Sequence, residues 1–253
     1  MESIAPGHHL YTGPDGTWRS CDENERFARL SGQADLLERM REQAYRGGSA
    51  PDLEPLAAVL RERGVLTPLP GEDADEGELR VCVRGDGPVA VEVARLLETA
   101  RNTLLDDDPR TADALVECTG WLPDERWRRV DAGGGVWHRC HVEGRRLVVG
   151  PMTVPGRTAS YRDLRGRRLA AAALPDELAG LWSYLDDGLA GTAPLPPVPW
   201  PNAGAVAIAA GLLVNDLLTW RDGGLPATAG FQLVVDPASG RVDRHPVLPL
   251  PVA

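Results

Sequence analysis

The chain has 253 residues, 25% of them charged and 43% hydrophobic, with a formal net charge of −10. An acidic field of this size repels nucleic acid and anionic lipid and excludes both as partners, while the length gives room for two modest domains, each with its own core. Every permanently basic side chain is arginine, so mechanisms that need a lysine, such as a Schiff base or the phosphate-binding lysine of a P-loop, are excluded.

In chain order, His9-Leu10-Tyr11 and Thr17-Trp18-Arg19 flank Gly13-Pro14-Asp15-Gly16, and this pattern predicts a β-hairpin. Residues 26–30, Arg26-Phe27-Ala28-Arg29-Leu30, read as a third strand after the polar turn at Cys21-Asp22-Glu23-Asn24. Leu36, Leu37, Met40 and Ala44 then recur at helical spacing up to Gly47-Gly48. A second helix starts at Ser49-Ala50-Pro51-Asp52 and carries Leu53, Leu56, Ala57 and Leu60 on one face. Three small strands followed by helices predict an α+β, winged-helix-like unit over residues 1–70. Glu54 and Glu62 break up the positive face that a DNA-binding version would need.

Residues 71–78 are acidic, bounded by glycine and nearly free of apolar side chains, which predicts a solvated linker. Beyond it, residues 79–84 read as a strand and residues 89–99 as a helix, joined by Gly85-Asp86-Gly87-Pro88-Val89-Ala90. That turn approximates the glycine fingerprint that brings phosphate to a helix N-terminus, but Asp86 puts negative charge where phosphate would lie, and no second strand is legible between Ala100 and Asp106-Asp107-Asp108. The site reads as dismantled, and the aspartate triplet as a solvated turn.

Residues 114–118 read as the next strand, 124–130 as a short helix, and 137–142 and 145–149 as a strand pair. Neighbouring residues on a strand point to opposite faces, so His141 faces away from Cys140 and His138 and the three do not converge on a metal, and Cys21, Cys82, Cys118 and Cys140 lack metal or redox spacing. Residues 165–185 read as helical, 194–201 as an extended proline-rich connection, 203–220 as a buried helix and 231–235 as a strand; the proline-spaced tail from His245 reads as extended, a disordered end by default or a segment that docks on a partner. The apolar run 203–214 is shorter than the ~20 residues that a membrane-spanning helix needs, and Met1-Glu2-Ser3 starts no signal peptide, so the expected location is cytoplasmic.

Residues 146–168 carry a resemblance. A strand at Leu147-Val148-Val149, Gly150-Pro151, Pro155-Gly156 and the tetrad Ser160-Tyr161-Arg162-Asp163 before an arginine-rich helix resemble the ThiF-like adenylating superfamily. More narrowly, the chain resembles the leader-peptide-binding members found beside YcaO-type cyclodehydratases in azole-containing peptide and thiopeptide biosynthesis. The family's tetrad is Cys-x-x-Cys, half of a zinc site whose other half lies near the end of the chain. Here Ser160 and Asp163 stand at its ends and no cysteine follows Cys140, so no zinc is expected.

The resemblance implies a recognition domain over residues 1–70, a linker at 71–78 and a degenerate ThiF-like α/β domain over 79–253, with a homodimer through the latter left open. It implies no catalysis and no cofactor: the leader of a precursor peptide would add as a strand at Arg26, Phe27, Ala28, Arg29 and Leu30 and lie against Leu56, Leu60, Arg61 and Arg63, for presentation to the cyclodehydratase. Arg29, Arg61 and Arg63 would suit an acidic leader. The alternative is an ATP-dependent adenylating enzyme.

Overall fold

Alternation along the first hairpin and 3.6-residue spacing in the following helices send Leu10, Trp18, Leu37, Met40, Leu53, Ala57 and Leu60 into one core. In the computed structural model, which describes residues 2–46, 50–68, 77–85 and 87–251, that core belongs to the first of two units, residues 1–75; the second covers residues 76–253.

The first unit runs β1 (Glu2–Ile4), β2 (His9–Thr12), β3 (Trp18–Cys21), β4 (Phe27–Leu30), α1 (Ala34–Arg46), a 3-10 turn (Pro51–Leu53), α2 (Glu54–Glu62) and β5 (Leu66–Pro68). Strands β2, β3 and β4 form an antiparallel sheet in that order, and β1 pairs antiparallel with β5. The predicted hairpin and third strand are present, the latter as β4. The β1–β5 pair was not foreseen: each strand is three residues long and its partner lies more than sixty residues away, beyond the reach of local pattern. The expected helix end at Gly47-Gly48 and most of the expected linker, residues 71–76, lie outside the described residues.

The second unit is a mixed α/β fold. Its elements are β6 (Leu79–Arg84), α3 (Pro88–Thr99), β7 (Thr103–Leu105), β8 (Ala114–Thr119), α4 (Asp124–Ala132), β9 (Trp137–Glu143), β10 (Arg146–Val149), α5 (Tyr161–Ala171), α6 (Pro175–Leu189), α7 (Ala203–Arg221), β11 (Phe231–Val235) and β12 (Val242–Pro246). Among the described residues the sheet has seven strands in the order β12-β11-β10-β9-β8-β6-β7, parallel from β7 to β9 and antiparallel from β9 to β12. Val81, Val116, Cys140 and Leu147 face α3 and α7 on one side. Leu115 and Trp137 face Trp127, Tyr161 and Trp182 on the other.

The stretch expected to be helical over 165–185 is helical, in two helices, α5 and α6. Two expectations are corrected: a second strand, β7, does follow α3, and the tail is ordered through Pro251. Val247 is 4% exposed, Leu250 N–H donates to Asp163 Oδ1 at 2.7 Å, and Arg167 donates to the Leu248 and Pro249 carbonyls at 3.0 and 2.9 Å. By length and composition α7 could cross a membrane, yet here its Ala209, Ala210, Leu213 and Leu217 are buried against the sheet.

Candidate functional site

Strand β4 pairs only with β3 among the described residues, so its other side is an edge. Antiparallel pairs alternate between hydrogen-bonded and non-bonded. Asp22 N–H donates to the Arg26 carbonyl at 3.1 Å, which sets the phase: Ser20–Ala28 and Trp18–Leu30 exchange bonds, and the N–H and C=O groups of Phe27 and Arg29 point away from the sheet. The hairpin agrees, since Gly13 N–H donates to the Thr17 carbonyl at 2.8 Å, which turns Arg19 and Cys21 toward β2. The unsatisfied edge is therefore centred on Phe27 and Arg29. Phe27 leaves 67% of its surface in water, an unusual exposure for an aromatic ring on an edge strand.

Beside this edge, on the sheet face that carries Trp18, lies a groove of about 370 Å³. It is lined by Ser20, Asp22, Arg26, Phe27 and Ala28 along β3, β4 and the turn between them, by Arg63 and Val65 just beyond α2, and by His8. Asp22 closes the turn between β3 and β4: its Oδ1 accepts the Asn24 and Arg26 N–H groups at 2.9 and 2.8 Å, and these bonds, that from Arg26 first, hold its carboxyl below the usual range.

The residues expected to bind a peptide are therefore only partly brought together. Arg26, Phe27, Ala28 and Arg63 line the groove, and Arg29 and Leu30 continue the edge. Arg29 keeps 74% of its side chain exposed and reaches Asp15 at 3.5 Å. Leu60 is a correction: it is 0% exposed, inside the unit's own core, while Leu56 packs partly on that core. Arg61 is a second correction, because its Nε and Nη2 donate to Glu2 at 2.6 and 3.0 Å and Nη2 also reaches Glu54. Hydrogen bonding from Arg61 pulls the Glu2 carboxyl below its ordinary range. That guanidinium ties β1 to α2. Sequence reading missed His8, Asp22 and Val65; the Asp22-x-Asn24 turn was the available signal for Asp22.

In the second unit, β6, Gly85, Gly87 and α3 have the predicted strand-turn-helix order, with Gly87 as the α3 N-cap; Asp86, expected to repel phosphate, lies outside the described residues. The Ser160-Tyr161-Arg162-Asp163 tetrad is a capping box. Ser160 Oγ accepts the Asp163 N–H at 3.1 Å, and Asp163 Oδ2 accepts the Ser160 N–H and hydroxyl at 2.9 and 2.8 Å. With Asp163 Oδ1 taken by Leu250, these donors are committed to hydrogen bonds and do not fit a zinc ion. His138 accepts the Arg139 N–H on Nδ1, which leaves Nε2 to donate to Asp216 Oδ2 at 3.1 Å, whereas His141 lies on the opposite side of β9, against Trp127.

No protein-family model and no curated protein matches the chain. Solved structures do. A heterocyclase in complex with substrate and cofactor is similar over 98% of this chain and 38% of its own, with TM-score 0.68 and 15% identity. The heterocyclase TruD is similar over 97% and 41%, with TM-score 0.68 and 16% identity. E. coli MccB with AMPCPP and MccA is similar over 99% and 98%, with TM-score 0.59 and 11% identity. Likeness at these identities is a likeness of fold. The chain spans about two-fifths of the length of the heterocyclase chains and nearly all of MccB.

Proposed function

We propose that this chain binds, without catalysis, the leader of a ribosomally made precursor peptide, and presents the peptide's core to a YcaO-type cyclodehydratase. On this reading the first unit is the winged-helix-like recognition element and the second a degenerate ThiF-like domain. The observation that carries it is the open edge of β4 beside a groove, with Phe27 exposed at the junction.

Magnitudes decide how the edge would work. The two outward N–H and two outward C=O groups of Phe27 and Arg29 contribute about 1 kcal/mol net for each bond made, whereas association costs on the order of 4–15 kcal/mol. Backbone pairing alone therefore falls short. The groove and the Phe27 ring must supply the surplus and, with it, the selectivity; Arg26 and Arg63 favour acidic side chains there. The fold shared with MccB, solved with MccA, and with a heterocyclase solved with its substrate supports the reading.

Fluorescence polarisation of a labelled leader tests it. Phe27→Ala should weaken binding about tenfold, equivalent to ~1.4 kcal/mol. Arg29→Pro should weaken it at least as much while the fold survives, because the lost N–H points away from β3. Leader binding that is indifferent to both substitutions would refute the site. The competing reading, an adenylating enzyme, draws on the glycine turn at Gly85 and Gly87, on β7 and on the AMPCPP in the MccB structure.

A further inference from the structure

The glycine turn has a structural explanation of its own, independent of the peptide groove. From β6 the chain crosses to β7 on one side and then to β8 on the other, so the sheet reverses its order between β6 and β8. Ligands of open parallel sheets lie at the carboxyl ends of such strands, with phosphate over the helix N-terminus that follows the first. Here Gly85 and Gly87 follow β6, and Gly120 follows β8.

What stands in that crevice is a segment of the same chain. A Cβ added to Gly87 would lie 2.0 Å from the Trp200 ring, and one added to Gly120 2.3 Å from a Val198 methyl. Cβ atoms essentially never come within 3.0 Å of a non-bonded heavy atom, so Trp200 and Val198 are what require glycine at both places. Gly85, at φ +138°, would put a Cβ 1.9 Å from the Cys118 carbonyl oxygen, so it serves the packing of the turn against β8. Trp200 and Val198 also pack on the core beneath α3 and α7.

The segment is held on both sides of the indole. Trp200 N–H donates to the Val198 carbonyl at 2.9 Å, and Asn202 caps α7 while donating to the Pro237 carbonyl at 2.9 Å. Pro196, Pro197, Pro199 and Pro201 fix their own φ angles, so little conformational freedom is lost in holding this path.

We propose that residues 194–201 are the resident occupant of this crevice. Trp200 and Val198 fill the space over the glycine turn that a nucleotide's phosphates would need, and the chain thereby closes the crevice to nucleotides with its own side chains.

The full chain labelled with 5-fluorotryptophan tests this by ¹⁹F NMR. Its seven tryptophans give separate resonances, and Trp200→Phe assigns that of Trp200. Millimolar ATP or ADP with magnesium should leave the Trp200 resonance in place and give no saturable heat by calorimetry. Gly87→Ala should move that resonance, leave those of Trp18 and Trp127 in place, and lower the melting temperature. Saturable nucleotide binding by the unmodified chain would overturn the proposal, as would a folded Gly87→Ala variant with the Trp200 resonance unmoved. If Gly87→Ala does not fold, Trp200→Ala decides: a melting temperature equal to that of the unmodified chain would mean that the ring fills nothing.

Discussion

Asp216 is the one acidic side chain buried within α7, and four donors surround it. Ala227 N–H and Thr228 N–H donate at 2.8 and 3.2 Å, the Thr228 hydroxyl at 2.5 Å and His138 Nε2 at 3.1 Å. Burial pushes its carboxyl upward, but the bonds from His138 and Thr228 prevail and hold it below the ordinary range. Burial pushes the His138 imidazole downward against the pull of Asp216, and pushes His141 downward as well, so both stay neutral. The sign follows. A histidine with a lowered folded pKa binds fewer protons folded than unfolded, and so does a carboxylate held low; both withdraw stability as pH falls, the histidines beginning near their unfolded value of about 6.5. Urea midpoints should therefore decline from about pH 6.5 toward 5, and His138→Gln should flatten that decline while lowering stability at pH 7 by roughly 1.5–3 kcal/mol, the worth of a buried bond to a charged group. An unchanged slope would exclude His138 as its source. Strand alternation alone separates His138 from His141 and argues for structural roles; the identity of the partner, 78 residues away on a helix that reads as apolar, is beyond local pattern.

At the scale of the element, α5 shows how a helix start can anchor a chain end. Ser160 and Asp163 close the capping box, and the second Asp163 oxygen holds Leu250 N–H. Ser160→Ala should cost about 1 kcal/mol, the usual worth of a cap. Asp163→Ala should cost more, since it frees both the cap and the tail, and limited proteolysis near residue 248 should then quicken. Equal costs for the two would mean that the tail contact adds nothing. Elements with strong periodicity or apolar runs, β6, α3, β9, β10 and α7, were legible within a residue or two. Those read poorly share a different physical basis. Strand β7 is three residues held by parallel pairing with β6, and β1 exists only because β5 returns beside it. The tail is ordered by arginine and carboxylate partners more than eighty residues upstream. The β4 edge was legible as a strand, but which of its neighbours face the groove was not: Arg61 turned out to be committed to Glu2, and Leu60 to the core.

At the scale of the whole molecule, the proposed function assigns the leader to the first of the two units and presentation to the second. The residues lining the groove all belong to residues 1–75, so leader affinity should not depend on the second unit. Presentation should depend on it, because a tethered leader converts the meeting of core peptide and cyclodehydratase into an intramolecular event, at millimolar effective concentration for a short flexible tether. A protease site placed within residues 71–76 separates the two effects. After cleavage of the folded protein and separation of the fragments, leader affinity measured by polarisation should stay within about twofold of that of the intact chain. Modification of the core peptide by the added cyclodehydratase should fall by a factor on the order of 10²–10⁴ at micromolar protein. Retained modification with the fragments apart would mean that the first unit acts alone; lost affinity would mean that the second unit contributes to the groove.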